Sequence, residues 1–369
     1  MQKSKEKFSV AEVVAYLEKI APPCYQESYD NSGLQVGDMN NIVTKGLVCL
    51  DLTPAVMKEA VETGANLIIT HHPLIFNPLK KIAGTTVCEK LVIKAVKNDI
   101  AVYSMHTNLD NVHIGVNAAF AQKLQLKNVQ ILRKNNRILL KLITFVPVQQ
   151  AENVRENLFR AGAGHIGNYQ KCSYNSEGTG TFEGNDSTNP FVGEKNKLHY
   201  EKEMRLEVIL PVHLKNKVVK ALLAAHPYEE PAYDLILLEN TSNNIGAGMI
   251  GELENAMSEL DFLQFLKEKM QLQCIKHSQF RKKTIKKVAI CGGSGSFLIP
   301  DAIKENADVF ISSELKHNHF LDFHSSIFLA DIGHFESEIE IKNQICAFLI
   351  KKFSIFANSE IECNPIAYF

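Results

Sequence analysis

Short apolar runs alternate with amphipathic stretches along the first 135 or so residues. Val10, Val13, Val14 and Leu17 recur at helical spacing behind Ser9 and Glu12. The Ser-x-x-Glu pattern is a capping box, so a helix is expected there, ending near Pro22-Pro23. Gly46 to Leu52 reads as a strand, and Thr53-Pro54 caps and starts a helix that Gly64 can end. A strand at Leu67 to Thr70, a helix around Cys88 to Lys97 and a strand at Ile100 to Ser104 follow. Strands separated by helices predict parallel βαβ units.

The pattern returns after about residue 245. Strands are expected at Lys287 to Cys291, Asp308 to Ile311 and Ile327 to Asp331, each ending in polar or glycine-rich sequence. The stretch between differs in texture. Strand-like runs at Arg137 to Val146, Arg205 to Leu210 and Asp234 to Leu238 alternate with helices at Gln149 to Arg160 and Leu214 to Ala224. That order fits a small βαββαβ domain inserted in a host. The glycine- and asparagine-rich stretch Gly178 to Gly193 reads as a mobile surface loop without chemistry. The fold class is therefore α/β: residues 1–136 and 241–369 form two α/β halves of one domain, and residues 137–240 form the insert.

A net charge of -1 gives no reason to expect a nucleic-acid or anionic-membrane partner. Arg281-Lys282-Lys283 reads as a solvated face. No apolar stretch reaches transmembrane length, and the N-terminal segment lacks the pattern of a signal peptide. The eight cysteines include no Cys-x-x-Cys pair, and Cys49 and Cys291 lie in apolar strands. Buried thiols in a reducing compartment follow, and the expectation is a cytoplasmic protein.

The chemistry gathers at strand ends, the edge where open α/β sheets bind ligands. His71-His72-Pro73 closes the strand Leu67 to Thr70. Neighbouring side chains on a strand point to opposite faces, so the two imidazoles converge only if the strand breaks, which Pro73 favours. Asp110 follows the third strand, within His106-Thr107-Asn108-Leu109-Asp110. His334 and Glu338 are four residues apart at the start of the last helical segment, on one helical face. Each motif alone also reads as ordinary: a strand-end pair, a surface His–Glu pair. Together they offer three imidazoles and two carboxylates on one edge, a mixed N/O set that suits Zn, Mn, Fe or Co. Two ions can share it if Glu338 bridges them.

His106 is a candidate for a hydrogen bond to a ligand or substrate, and equally a satisfied structural histidine. Asp51 is a candidate to support a ligand from behind, with the start of the turn into Thr53-Pro54 slightly favoured over that role. Of Glu314, His317 and His319, one is expected to face the site. Gly292 to Ser296 has the look of a phosphate cradle without the P-loop lysine, with a tight turn as the plainer alternative.

Four stretches, Asp30-Asn31-Ser32-Gly33-Leu34-Gln35-Val36-Gly37, Thr70 to Phe76, Ser104 to Asp110 and Asp331 to Glu338, together resemble the Nif-three-like family, whose members are often named GTP cyclohydrolase 1 type 2 homologues. The resemblance spans both outer segments in order. It implies a dinuclear metal centre held by His71, His72, Asp110, His334 and Glu338. Zinc ranks first for the two divalent ions, with iron, manganese or cobalt as alternatives. His226 to Asp234 and Gly164 to Tyr169 resemble the inserted PII/CutA-like domain of longer bacterial members, which implies a homohexamer. Ser313 stands where relatives commonly carry glycine, which leaves the role of Glu314 open.

Two functions follow. One is a metal-dependent hydrolase of a small phosphorylated or heterocyclic metabolite, with His106 as its catalytic proton shuttle. The other is a non-catalytic metal-binding, scaffold or regulatory oligomer, which the insert favours.

Overall fold

The computed structural model describes residues 7–361 and 364–369. The chain divides into two compact units. One runs up to Lys134 and resumes at Asn243; the other is Asn135–Ser242.

The first unit contains two larger sheets. In the five-stranded sheet the order is Phe356–Asn358, Gly46–Cys49, Leu67–Thr70, Ala101–Ser104, Gly33–Val36. The first four run parallel, and Gly33–Val36 pairs antiparallel with Ala101–Ser104. The three central strands are buried on both faces, as their unbroken apolar runs require. The expected local signals build the covering elements. Ser9 and Glu12 form the capping box of the helix Val10–Ile20, which buries Val10, Val13, Val14 and Leu17. Thr53 caps Pro54–Thr63, and Gly64 ends it in the left-handed region at φ 71°.

The six-stranded sheet has the order Lys276–His277, Phe328–Asp331, Val309–Ser313, Thr284–Ser294, Gly246–Ser258, Lys127–Lys134. Phe328–Asp331, Val309–Ser313 and Thr284–Ser294 are parallel; the other pairings are antiparallel. Its two faces carry separate cores, one around Phe262, Leu266 and Phe328, the other around Phe310, Leu298 and Leu329. The long antiparallel strands Lys127–Lys134 and Gly246–Ser258 were not foreseen. Charged residues interrupt the first, and glycines at 246, 248 and 251 mask the strand pattern of the second.

The second unit is a βαββαβ arrangement. Its strands lie in the order Tyr233–Leu238, Leu139–Pro147, His199–Pro211, Tyr174–Phe182, all antiparallel. Helices Ala151–Ala161 and Lys215–Ala225 cover one face, closing a core of Leu142, Val154, Leu158, Leu206 and Leu222. One expectation is corrected. Gly178 to Phe182 is not loop but the end of an edge strand, and the excursion begins only at Glu183. Glycine has poor strand propensity, so the run looked like a loop; pairing with the 13-residue strand His199–Pro211 overrides it. Among the described residues, no helix is long and apolar enough to cross a membrane.

Candidate metal centre

The strand Leu67–Thr70 stops one residue before His71. The next two amides donate to Cys49 O and Leu50 O at 3.2 and 3.0 Å, so the chain leaves the pleat as it passes the histidines. Both rings then point the same way, with centroids 5.0 Å apart. Thr107–Asp110 is a single helical turn after the strand Ala101–Ser104. It places Asp110 Oδ1 3.6 Å from His71 Nε2. The short helix His334–Glu338 follows the strand Phe328–Asp331 and brings in the remaining pair. Glu338 Oε2 lies 2.9 Å from His72 Nε2 and 3.0 Å from His334 Nε2. The two Nε2 atoms are 3.3 Å apart. All five residues named from sequence thus meet at one place, although His72 and His334 are 262 residues apart in the chain.

Each imidazole is fixed from behind. His71 Nδ1 donates to Met105 O at 2.7 Å, His72 Nδ1 to Asp51 at 2.9 Å, His106 Nδ1 to Asp30 at 2.7 Å, and His334 Nδ1 to Glu314 at 3.2 Å. Those partners only accept, so Nδ1 carries the proton and every Nε2 is the atom left for a ligand. His71, His72 and His106 offer ligand atoms within 4.8 Å of one another, as do His72, His334 and Glu338. His72 belongs to both groups.

The electrostatics fit a cation. His71 Nε2 and Asp110 Oδ1 are buried and take no hydrogen bond from the described residues. Burial pushes His71 down to about 3, so it is a neutral imidazole, the form that binds metals. Burial and the neighbouring Glu338 carboxylate hold Asp110 well above the usual range. At His72, burial is outweighed by the hydrogen bonds it donates to Asp51 and Glu338, which lift it to about 10; at His334, Glu338 overcomes burial and lifts it to about 9. Burial would raise Glu338, but His334 and His72 hold it well below the usual range. Buried carboxylates here are balanced by protons alone, and a divalent ion is the natural substitute for those protons.

The neighbours were only partly legible in sequence. Asp51 is the orienting acceptor of His72, not merely a turn residue. Asp30 had no assigned role, yet it holds His106. Glu314 is the residue of its group that faces the site, carried there by a left-handed backbone at φ 57°. Of the two readings of Gly292 to Ser296, the phosphate cradle, the less favoured one, loses its glycine donors. The amides of Gly292, Gly293 and Gly295 are already taken by Asn117, Ser337 and Ser312 at 2.9 Å each. The loop instead packs on the site: a Cβ added at Gly293 would collide with Glu338 Oε1. In the insert, both ring nitrogens of His226 are engaged, by Phe145 O and the Tyr228 amide, so it is no metal ligand. Beside the cluster, a cavity of about 190 Å³ is lined by Tyr29, His106, Asp110, Phe297, His334 and Glu338 among others.

Comparison with known proteins identifies the family. A relative from Halalkalibacterium halodurans named GTP cyclohydrolase 1 type 2 homolog is 38% identical over 327 residues, 87% of each chain. One of the same name from Bacillus subtilis is 36% identical over 369 residues, covering 97% of this chain and 98% of the relative. The crystal structure of a Bacillus cereus protein related to NIF3 superposes with a TM-score of 0.83 at 35% identity, covering all of both chains. The model of the family Duf34/NIF3 (NGG1p interacting factor 3) matches residues 8–366, and the chain belongs to that family.

Proposed function

We propose that this chain holds two divalent cations among His71, His72, Asp110, His334 and Glu338 and hydrolyses a small metabolite beside them. The observation that carries the reading is the four Nδ1 atoms tied back to acceptors, which leaves the Nε2 atoms of His71, His72 and His334 beside the carboxylates of Asp110 and Glu338. Two divalent ions so held supply Lewis acidity and an acidified water at neutral pH, with zinc the first choice for this donor set and iron, manganese or cobalt alternatives. Glu338 Oε2, near-equidistant from His72 and His334, would hold a cation together with those imidazoles. His106 is the proton carrier: its Nδ1 is held by Asp30, and its Nε2 is free to give or take a proton at the reacting group. Phe76 and His72 pack against its ring and fix its plane.

The cavity of about 190 Å³ lies below the range of drug-sized ligands, so it suits the reacting end of a substrate rather than all of a nucleotide. The relatives' name makes GTP ring opening the first reaction to assay, followed by phosphorylated and pterin-like compounds. The test is turnover by metal-analysed protein, with His71→Ala and Glu338→Ala as controls. Activity that disappears in both supports the enzyme; activity unchanged in both removes it.

A second reading is a non-catalytic metal-binding scaffold or regulator. The separate βαββαβ unit, with a cavity of its own, favours it. Metal binding without turnover across the substrate panel would decide for it. Under either reading we expect a homohexamer, measurable by native mass spectrometry. A cytoplasmic location suits the buried thiols of Cys49 and Cys291.

A further inference from the structure

The βαββαβ unit holds a cavity of about 850 Å³, well within the size range of small-molecule sites. It lies on the sheet face opposite the helices. Leu206, Val208 and Leu210 point from the strand His199–Pro211 into the helix-covered core, so Glu203 and Arg205 lie on the other face. The cavity is lined by those two, by the edge strand Tyr174–Phe182, by the excursion after it and by Tyr228 to Ala232.

Glu203 is the unusual member. Its residue is only 8% exposed, yet it is a carboxylate in a sheet. One oxygen accepts from the Tyr228 hydroxyl at 2.7 Å. The other lies over Gly180, where an added Cβ would strike it, and no described residue donates to it. Glycine at 180 therefore makes room for the carboxylate, which accounts for a residue that otherwise weakens the strand. With a neutral phenol as its only described partner, this carboxylate leaves one oxygen open to a cation entering the cavity. Burial and the adjacent carboxylate keep the Tyr228 phenol protonated. The rings of Phe182 and Phe191 gather around Tyr228, at 5.8 and 6.5 Å between centroids. Five glutamates line the cavity against one arginine, and Arg205 is bound to Glu207 at 2.9 Å.

We propose that this cavity binds a small organic cation, an amine or quaternary ammonium compound, with its charge on Glu203 and its body against Phe182, Phe191 and Tyr228. Ring faces and a buried carboxylate are the two elements that recognise such cations. A bare metal ion fits worse: aromatic rings are not its ligands, and the neighbouring His226 has both nitrogens engaged.

The test is calorimetric titration of the full chain with spermidine, arginine and choline, with glutamate, ATP and zinc as comparisons. At least one organic cation is expected to bind. Glu203→Gln and Tyr228→Ala should each weaken it about tenfold or more, while His72→Ala leaves it unchanged. Intermolecular NMR contacts from the bound cation to the Phe182 and Tyr228 rings of the unaltered protein check the site without any substitution. The proposal is overturned if none of the three cations binds, if ATP or zinc alone occupies the cavity, or if binding survives both substitutions in folded protein.

Discussion

Asp30 Oδ1 lies 2.7 Å from His106 Nδ1, and the Asp30 side chain is fully buried while doing so. The same carboxylate takes the Thr107 amide at 3.0 Å, the Ser32 hydroxyl at 2.9 Å and the Thr107 hydroxyl. Burial alone would raise its pKa, but His106 and Thr107 hold it well below the ordinary carboxylate range. It is therefore an anion committed to keeping one imidazole in one tautomer. Asp30→Asn should leave the metal content intact and lower the proposed turnover by about 10- to 100-fold. Nitrogen NMR of the His106 ring should show the change of tautomer. Equal turnover in the two proteins would mean that His106 moves no proton.

Gly293 offers a test from the opposite side of the site. Its φ is +63°, and a Cβ would overlap Glu338 Oε1. Gly293→Ala must displace that carboxylate from His72 and His334. The backbone strain costs about 1–2 kcal/mol, which a protein of this size should survive. Metal content after dialysis, measured by mass spectrometry, is expected to fall while the circular dichroism spectrum is kept. Full metal retention would show that Glu338 is not held in place by this close approach.

The parts of this fold that were legible in the sequence are those set by local chemistry. Ser9 and Glu12 cap a helix, Gly64 ends one, and the five proposed ligands each follow a strand whose apolar run is plain. What was hidden depends on distance along the chain. Asp30 and His106 are 76 residues apart, and Asp30 sits in a turn segment with no periodicity to mark it. Asp51 looked like a turn residue because its partner His72 belongs to the next strand. The strand Tyr174–Phe182 was lost because Gly178 and Gly180 carry no side chain to betray the alternation; one of them is glycine because of Glu203, on another strand. The glycines of 292–295 suggested an anion site, yet their amides are spent on side chains distant in sequence.

Metal loading should be visible as stability. A ligand that binds only the folded state at a hundred times its Kd adds about 2.7 kcal/mol. For a chain of this size that corresponds to a rise in Tm of roughly 3–5 °C. Protein stripped with chelator and then given zinc or cobalt should show it by calorimetry. His72→Ala should abolish most of the gain, since His72 is shared by both groups of candidate ligands. An equal gain in the variant would place the metal elsewhere.

Glu89 provides a pH prediction away from the metal centre. It opens the helix Val87–Lys97, and its carboxylate gathers the turn before it. The Thr85 and Ala83 amides donate to it at 3.0 Å each, and so does the Thr85 hydroxyl. The Thr85 amide, with further help from Ala83 and Thr85, brings its pKa from 4.5 down to about 2. A carboxyl group depressed by folding stabilises the protein when ionised. Its contribution is complete above 4.5 and is lost as the pH falls through about 2. Glu89→Gln should therefore melt at a lower temperature than the parent at neutral pH, with the gap closing between 4.5 and 2. Parallel melting curves stepped through that window measure it. A gap that stays constant across the window would show that the turn is held by the shape of the side chain and not by its charge.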